Sequence, residues 1–351
     1  MTAFTIEKTQ NKINKHESKH RIVTCFVCYS EMEVKEGVVL YDRNFYHSEC
    51  WKEFQNSRKV LTELQNGTKK VLIIGLGEIG YTNAEYMTSL GIWVDGYDIS
   101  EKAVKRALEN NVIKNQAEDF AGYDYYLICI STHKPENMFV PYLDGLYETV
   151  YRIVKEGKEG ALLGIDSTIP QDTTKKVLNI LNHKLHVVHV PHRYYRYDKD
   201  EHGVNQKRVI GACEQCCFDA GRKFYGQILQ VPLHPVTVPD VAELTKIVEN
   251  SYRYVQIAYA EEMKILCDNL GVDYDELREA INTKWNIDML QAIDGIGGHC
   301  LPKDSQMVLD LSKKFVSNSI IEASKKVDSN YRMHLQKSRV ANQNPKVASV
   351  T

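Results

Sequence analysis

Lys70-Val71-Leu72-Ile73-Ile74-Gly75-Leu76-Gly77-Glu78-Ile79-Gly80 is the stretch that decides the fold. Its first five residues form a largely apolar run without alternation, the pattern of a strand buried on both faces. A helical pattern follows over residues 81–90, Gly91 closes it, and a second strand over residues 92–97 ends at Asp98. A glycine triplet alone is a weak signal. Strand, glycine turn, helix, strand and acid in that order describe a dinucleotide-binding βαβ unit. Gly75, Gly77 and Gly80 would let a pyrophosphate reach the helix N-terminus. Asp98 is placed to hold an adenosine ribose 2′-hydroxyl, and a carboxylate there repels a 2′-phosphate, so NAD is expected over NADP.

Outward from this unit the alternation of strands and helices continues. Residues 125–130 read as a strand leading into Ser131-Thr132, where a cofactor-contacting loop belongs. A helix over 142–155, a strand over 161–165, the turn Asp166-Ser167-Thr168-Ile169-Pro170 and a helix capped near Asp172 come next. Strands over 185–190 and 208–210 complete a Rossmann-like, doubly wound parallel sheet in an α/β domain spanning 69–238. Ser131, Thr132, Ser167 and Thr168 join Gly75, Gly77, Gly80 and Asp98 as cofactor-binding candidates. Cys213, Cys216 and Cys217 fall on the helix after the last strand; no second pair stands near them in sequence, so they read as packing thiols.

From Pro239 the pattern turns helical. Asp240 and Glu243 form a capping box for a helix running to about Asn269, with Gly271 ending it, and Asp273 to Glu276 cap the next helix in the same way. Lys246 and Asn250, four apart, share one face. They are either a solvated polar stripe or an anion-stabilising pair. Beyond lies Gly295-Ile296-Gly297-Gly298-His299-Cys300-Leu301-Pro302-Lys303-Asp304. It places a thiol between a glycine-rich turn and a helix over 303–311. Cys300 is either a structural cysteine or a nucleophile favoured as thiolate by that helix start.

At the other end, Cys25-x-x-Cys28 is separated by eighteen residues from His47-x-x-Cys50. Each pair offers two ligands to one tetrahedral Zn²⁺, in a closed structural site. With Tyr46 before the histidine and Trp51 after the last cysteine, the segment resembles the first half of a LIM domain or another treble-clef finger. A region this short cannot bury enough apolar surface to fold without the metal, and fingers of this kind usually contact a protein partner.

Bulk properties narrow the class. The net charge of −2 over 351 residues gives no reason to expect nucleic acid or an anionic membrane as partner. No apolar run is long enough to span a bilayer. Residues 1–20 are polar and lysine-rich, without an apolar leader, and read as a disordered lead. The odd count of nine cysteines fits thiols and metal ligands in a reducing, cytoplasmic setting better than a disulfide framework.

Taken together, Gly75-x-Gly-x-x-Gly80, Ser167-Thr168-Ile169-Pro170, Glu243-Leu244-Thr245-Lys246-x-x-x-Asn250 and Gly295-x-Gly-Gly-x-Cys300-x-Pro-Lys-Asp304 resemble the UDP-glucose/GDP-mannose dehydrogenase family over about residues 69–332. The resemblance implies an NAD domain, then an all-α central domain over 239–335 that dimerises through its long helix, with Tyr252, Tyr254, Ile257, Ala258 and Tyr259 as exposed apolar surface. It also implies a four-electron oxidation of a sugar C6 alcohol to a carboxylate. Cys300 would hold the intermediate as thiohemiacetal and then thioester, Lys246 and Asn250 would stabilise the oxyanion, and Asp304 would orient water or a proton carrier.

The chain departs from the family at three places. His192 stands where a glutamate is usual; it is either the base for hydrolysis or the mark of altered hydrolysis or a different substrate. Thr132-His133-Lys134 replaces Thr-Pro-Thr. The chain stops near where the family begins a further nucleotide-binding domain, with residues 336–351 reading as a tail. The expected organisation is therefore lead 1–20, zinc module 21–56, linker 57–68, NAD domain 69–238 and central domain 239–335. The substrate is expected to be a nucleotide sugar or sugar. A two-electron NAD dehydrogenase, and an NAD-binding scaffold that grips a partner through the zinc module, are the competing readings.

Overall fold

The computed structural model describes residues 21–34, 37–195 and 197–343; the expected lead and residues 344–351 of the expected tail lie outside them. The chain divides into two compact units. One is built from the residues through Ser131 together with Leu146–Ser167 and Asp172–Ala242, the other from Thr132–Gly145, Thr168–Gln171 and the residues from Glu243 onward. Two short segments inside the expected NAD domain thus belong with the helical part.

The first unit opens with two small antiparallel pairs, β1 (Ile22–Thr24) with β2 (Glu31–Glu33) and β3 (Val39–Tyr41) with β4 (Asn44–Tyr46). Helix α1 (Ser48–Gln65) follows. Cys25, Val27, Met32, Val38, Tyr46 and Phe54 form a core here, with Trp51 stacked on Phe54 at 5.7 Å. The stretch over 52–68, expected as a charged connecting helix and linker, is helical as far as Gln65, with Ser57, Leu61 and Leu64 spaced for one helix face and buried. Gly67, at φ 77°, ends the connection.

The sheet begins with β5 (Val71–Ile74), fully buried as its apolar run requires. Then come α2 (Glu78–Ser89), β6 (Val94–Tyr97), α3 (Glu101–Glu109) and β7 (Tyr125–Ile128). The small hairpin β8 (His133–Lys134) and β9 (Asn137–Pro141) belongs to the second unit. Helix α4 (Asp144–Glu156), β10 (Leu162–Ile165), α5 (Thr173–Leu181), β11 (His186–His189) and the short α6 (Lys199–His202) follow. The last sheet elements are β12 (Arg208–Ala212), α7 (Gln215–Gly221) and β13 (Leu233–Pro235).

The seven strands are ordered β13-β12-β11-β10-β7-β5-β6. The expected parallel sheet is present with one reversal: β12 runs antiparallel to β11, and β13 parallel to β12. Strand order turns between β5 and β7, so the loops after these two strands form the switch-point crevice where open α/β sheets bind ligands.

Helix α7 passes directly into a π-helical segment, Arg222–Ile228. A π-helix brings residues five apart onto one face. Arg222 and Gln227 accordingly both reach Glu53 of α1, at 3.0 and 2.9 Å, while Arg222 also donates to the Val27 carbonyl at 2.5 Å and Ser57 donates to Gln227. The N-terminal corner is therefore bolted to the sheet unit through buried polar groups, each with a partner.

The second unit is helical: α8 (Pro239–Leu270), α9 (Tyr274–Asn282), α10 (Cys300–Ser312) and α11 (Ile320–Gln343). Asp273 caps α9 by accepting from the N–H groups of Asp275 and Glu276, as the capping pattern requires. Gly271, at φ 68°, ends α8. Helix α11 runs into the expected tail, where the Arg339–Asp294 pair at 2.8 Å ties it down. No helix among the described residues is long and apolar enough to cross a membrane.

Candidate functional site

In the first unit the glycine turn is dictated by close approach. Gly75 has φ 94°, and a Cβ on Gly80 would lie 1.7 Å from the Gly75 carbonyl oxygen, so only glycine lets α2 pack against the turn. A Cβ on Gly77 would meet nothing within 4 Å, which leaves open space over the N-cap of α2. The Asp98 carboxylate accepts from the N–H of Leu76 at 2.5 Å and of Ser100 at 2.7 Å, so the acid is held against the turn. A glycine cradle open at a helix N-terminus, with a fixed carboxylate beside it, fits a dinucleotide: pyrophosphate at Gly75, Gly77 and Gly80, ribose at Asp98. Ser131 is exposed at the end of the β7 loop, on the switch-point side. Ser167 is buried, its hydroxyl donating to the Ile130 carbonyl at 2.8 Å. In the second unit Thr132 donates to the Thr168 carbonyl at 2.6 Å. Ser167 and Thr132 therefore shape loops with their hydroxyls.

His192 is buried, its Nδ1 accepting the Tyr194 N–H at 2.9 Å and its Nε2 facing the Asn83 side-chain oxygen at 3.1 Å. Asn83 donates to Asp166 at 2.8 Å. Asp166 also takes Arg208 at 2.6 Å and the Tyr225 hydroxyl at 2.6 Å. Gly164 makes room for that hydroxyl, since a Cβ there would sit 2.0 Å from it. Burial, reinforced by the Asp166 charge, pushes the Tyr225 hydroxyl well above its ordinary pKa. Of this network the sequence marked only His192; Asn83, Asp166, Arg208 and Tyr225 are remote in the chain and unremarkable alone.

In the second unit, α8 and α10 bring together the residues read as catalytic. Cys300 is exposed and is the first residue of α10. Asp304, one turn on, is 1% exposed; it accepts from the Asn250 amide at 2.5 Å and is ion-paired with Lys303 at 3.1 Å. Lys303 is a member of the site that sequence reasoning passed over. Lys246, one turn before Asn250, is half-buried; that burial lowers its pKa, and the nearby charges of Asp304 and Cys300 act in the opposite direction. Asn250 is turned toward the buried Asp304 and not only toward solvent. The loop before Cys300 is pinned from α11. Arg332 donates to the Ile296 carbonyl at 2.7 Å and pairs with Asp328 at 3.1 Å, while the Ile296 N–H donates to Asp328 at 2.8 Å. Gly295, at φ 88°, packs against that guanidinium; Gly297 and Gly298 face open space. Helix α10 packs against β9, and the rings of His133 and His299 lie 5.9 Å apart. Lys134 is exposed on the same hairpin.

In the N-terminal corner the ligand atoms of Cys25, Cys28, His47 and Cys50 all lie within 4.8 Å of one another. His47 Nδ1 is 3.5 Å from Cys28 Sγ and 3.8 Å from Cys50 Sγ. Zn–S and Zn–N bonds of about 2.3 and 2.0 Å in tetrahedral geometry separate sulfur and nitrogen by about 3.5 Å, so the set fits zinc.

Residues 240–330 match the model of the UDP-glucose/GDP-mannose dehydrogenase family, central domain, and carry Lys246, Asn250, Cys300 and Asp304 within that match. A UDP-N-acetyl-D-mannosamine dehydrogenase from Methanococcus maripaludis is 27% identical over 297 residues, covering 77% of this chain and 67% of the relative. An NDP-N-acetyl-D-galactosaminuronic acid dehydrogenase from Ralstonia nicotianae is 26% identical over 275 residues, 69% of this chain and 64% of the relative. The solved UDP-D-ManNAc dehydrogenase from Pyrococcus horikoshii superposes with a TM-score of 0.64 at 26% identity, covering 75% of this chain and 68% of that one. The chain thus spans about two thirds of the length of these relatives. The sheet with its helical companion has the fold of these dehydrogenases, and residues 240–330 are similar to the family's central domain.

Proposed function

We propose that this chain is an NAD-dependent nucleotide-sugar 6-dehydrogenase acting through Cys300. The observation that carries the reading is the meeting of Cys300, Lys246, Asn250 and Asp304 on α8 and α10, inside the stretch that matches the family's central domain. NAD, held by Gly75, Gly77, Gly80 and Asp98 with Ser131, Thr132, Ser167 and Thr168 shaping the loops, supplies hydride acceptance when bound. The chain's own residues do the rest. The Cys300 thiolate adds to the aldehyde carbon, forming the C–S bond of a thiohemiacetal and placing charge on oxygen. Lys246 donates to that oxygen together with the Asn250 amide. The sulfur keeps the carbon in place through the second oxidation, which leaves a thioester. Water then cleaves the C–S bond, releasing carboxylate and thiol. Asp304, fixed by Asn250 and Lys303, orients the water. His192 acts as the base of this step only if Nδ1 gives up the Tyr194 N–H; otherwise it positions Asn83 and Asp166.

The N-terminal corner holds a structural zinc in this reading, and its exposed Ile22, Leu40 and Tyr41 offer a face for a protein partner. A second copy of the chain pairs along α8, where Val248, Tyr252, Tyr259, Leu266 and Leu270 are exposed at spacings of four and seven. Tyr254 and Ala258, expected on that surface, are instead buried within the second unit.

The test is NADH release with UDP-N-acetylmannosamine, UDP-N-acetylgalactosamine, UDP-glucose and the free sugars, for wild type and Cys300→Ala. Two NADH per carboxylate are expected from wild type with a nucleotide sugar, and no carboxylate from Cys300→Ala. Carboxylate formed at an undiminished rate by the variant would remove the thiol from the mechanism. Tight NAD binding without turnover on any sugar would favour the scaffold.

A further inference from the structure

His183, His186, Cys216 and Cys217 form a second cluster whose ligand atoms all lie within 4.8 Å of one another. His183 Nε2 is 3.4 Å from Cys216 Sγ and 3.5 Å from Cys217 Sγ, the separation of about 3.5 Å that sulfur and nitrogen take around a tetrahedral zinc. The reading of these thiols as packing groups overlooked partners lying some thirty positions upstream. Two further observations set the cluster apart from incidental neighbours. Nδ1 of His186 is buried and has no hydrogen-bond partner, an arrangement that is unfavourable when nothing relieves it. Asn182 and His183 both adopt left-handed backbone conformations, at φ 45° and 55°, which non-glycine residues rarely take in succession. Asn182 is the C-cap of α5, and the second left-handed residue, His183, carries the imidazole that lies beside the thiols.

The sheet topology explains how the four residues meet. His186 opens β11, at the edge of the sheet opposite the loops that follow β5 and β7. Because β12 runs antiparallel to β11, its end returns to that same edge, with Ala212 beside Val188. Helix α7 therefore starts next to the α5–β11 loop. Had β12 been parallel, Cys216 and Cys217 would emerge at the cofactor edge.

We propose that His183, His186, Cys216 and Cys217 bind a second tetrahedral d-block cation of the zinc class, as a structural clamp. Two thiolates and two imidazoles suit zinc, and four protein ligands leave no open position for catalysis. The clamp ties the α5–β11 loop to the start of the helix whose π-helical end grips α1. That helix is then held at one end by the new cation and at the other through the Glu53 contacts. The proposal stands apart from the dehydrogenase reading, since neither residue set nor edge is shared.

The test uses the full chain, kept reduced with a non-chelating phosphine. Bound zinc is counted by elemental analysis, and Co²⁺ is titrated while its d–d absorption is followed. Wild type is expected to hold two equivalents, one from the N-terminal corner and one here. Cys216→Ser and His183→Gln, both at exposed positions, should each lose one equivalent and the absorption component of a two-sulfur, two-nitrogen site. Cys25→Ser should lose the other component only. Circular dichroism of His183→Gln guards against a loss caused by misfolding. If Cys216→Ser and His183→Gln keep the wild-type metal count and cobalt spectrum, the second site does not exist. If wild type holds one equivalent and only these two variants lose it, the new site stands and the N-terminal one falls.

Discussion

Two corners of the molecule put cysteine to different uses, and the side chains around the sulfur account for the difference. In the N-terminal corner three thiols and an imidazole crowd together at the end of two hairpins and the start of α1. Without a cation such a cluster is poorly matched. Burial raises Cys28, but hydrogen bonds from Ser30 bring it down to about 7, while burial and the neighbouring Cys25 push Cys50 up to about 12. Around Cys300 there is one exposed thiol, a half-buried lysine and a fixed aspartate. The first arrangement converges sulfur on a point; the second leaves sulfur open on one side and surrounds it with groups that stabilise charge elsewhere. In the proposed reading the clustered thiols are a ligand set and the solitary thiol is a nucleophile.

The contrast can be broken by experiment. The largest effect is expected from removing the N-terminal metal. Structural zinc in small fingers contributes about 10–16 kcal/mol of apparent binding energy, so Cys50→Ser or a strong chelator should unfold the corner. Trp51, packed against Tyr46 and Phe54, reports this through its fluorescence. An unchanged Trp51 signal after complete metal removal would show that the corner is held by its apolar core alone. Next in size, Lys246→Ala should lower kcat by about 10²–10³-fold with little change in NAD affinity, as for loss of one oxyanion donor. A change confined to KM would instead make Lys246 a binding residue.

The smallest effect concerns the scaffold that carries the thiol. Glu261 on α8 is fully buried, and neither carboxylate oxygen has a hydrogen-bond partner. Burial, with Asp328 adding repulsion, raises it from 4.5 to about 7. Below pH 7 the folded chain holds a proton that the unfolded chain releases until about 4.5. Stability contributed by this group therefore rises as pH falls through that window and is lost above it. Glu261→Gln should flatten the slope and raise Tm at pH 8 by a few degrees, at about 2–4 °C per kcal/mol. A slope unchanged in the variant would assign it to other groups.

Much of this was legible in the sequence because the signals were local. The apolar run of β5, the glycines after it and Asp98 lie within thirty residues, and Gly75 and Gly80 are forced by backbone geometry. The same holds for the Cys-x-x-Cys and His-x-x-Cys pairs and for the Asp273 cap. What escaped was set by remote partners. The direction of β12 is not written in its own residues, so the meeting of His183 with Cys216 was hidden. The segments 132–145 and 168–171 follow strands, yet they pack with the helical unit. On α8 the error was one of helical phase: Tyr252 and Tyr259 fall on the exposed stripe, whereas Tyr254 and Ala258 lie on the opposite side. The continuation of α1 to Gln65 was readable from the spacing of Ser57, Leu61 and Leu64.

The π-helical turn has a practical corollary for anyone shortening this chain. Arg222 and Gln227 point into α1 and are satisfied there by Val27, Glu53 and Ser57. A fragment starting at the first strand of the sheet would present a bare guanidinium and a stranded amide on what had been an interior surface. Such a fragment should be harder to keep in solution than the whole, so the leading finger is better regarded as a lining of the nucleotide fold than as a detachable appendage.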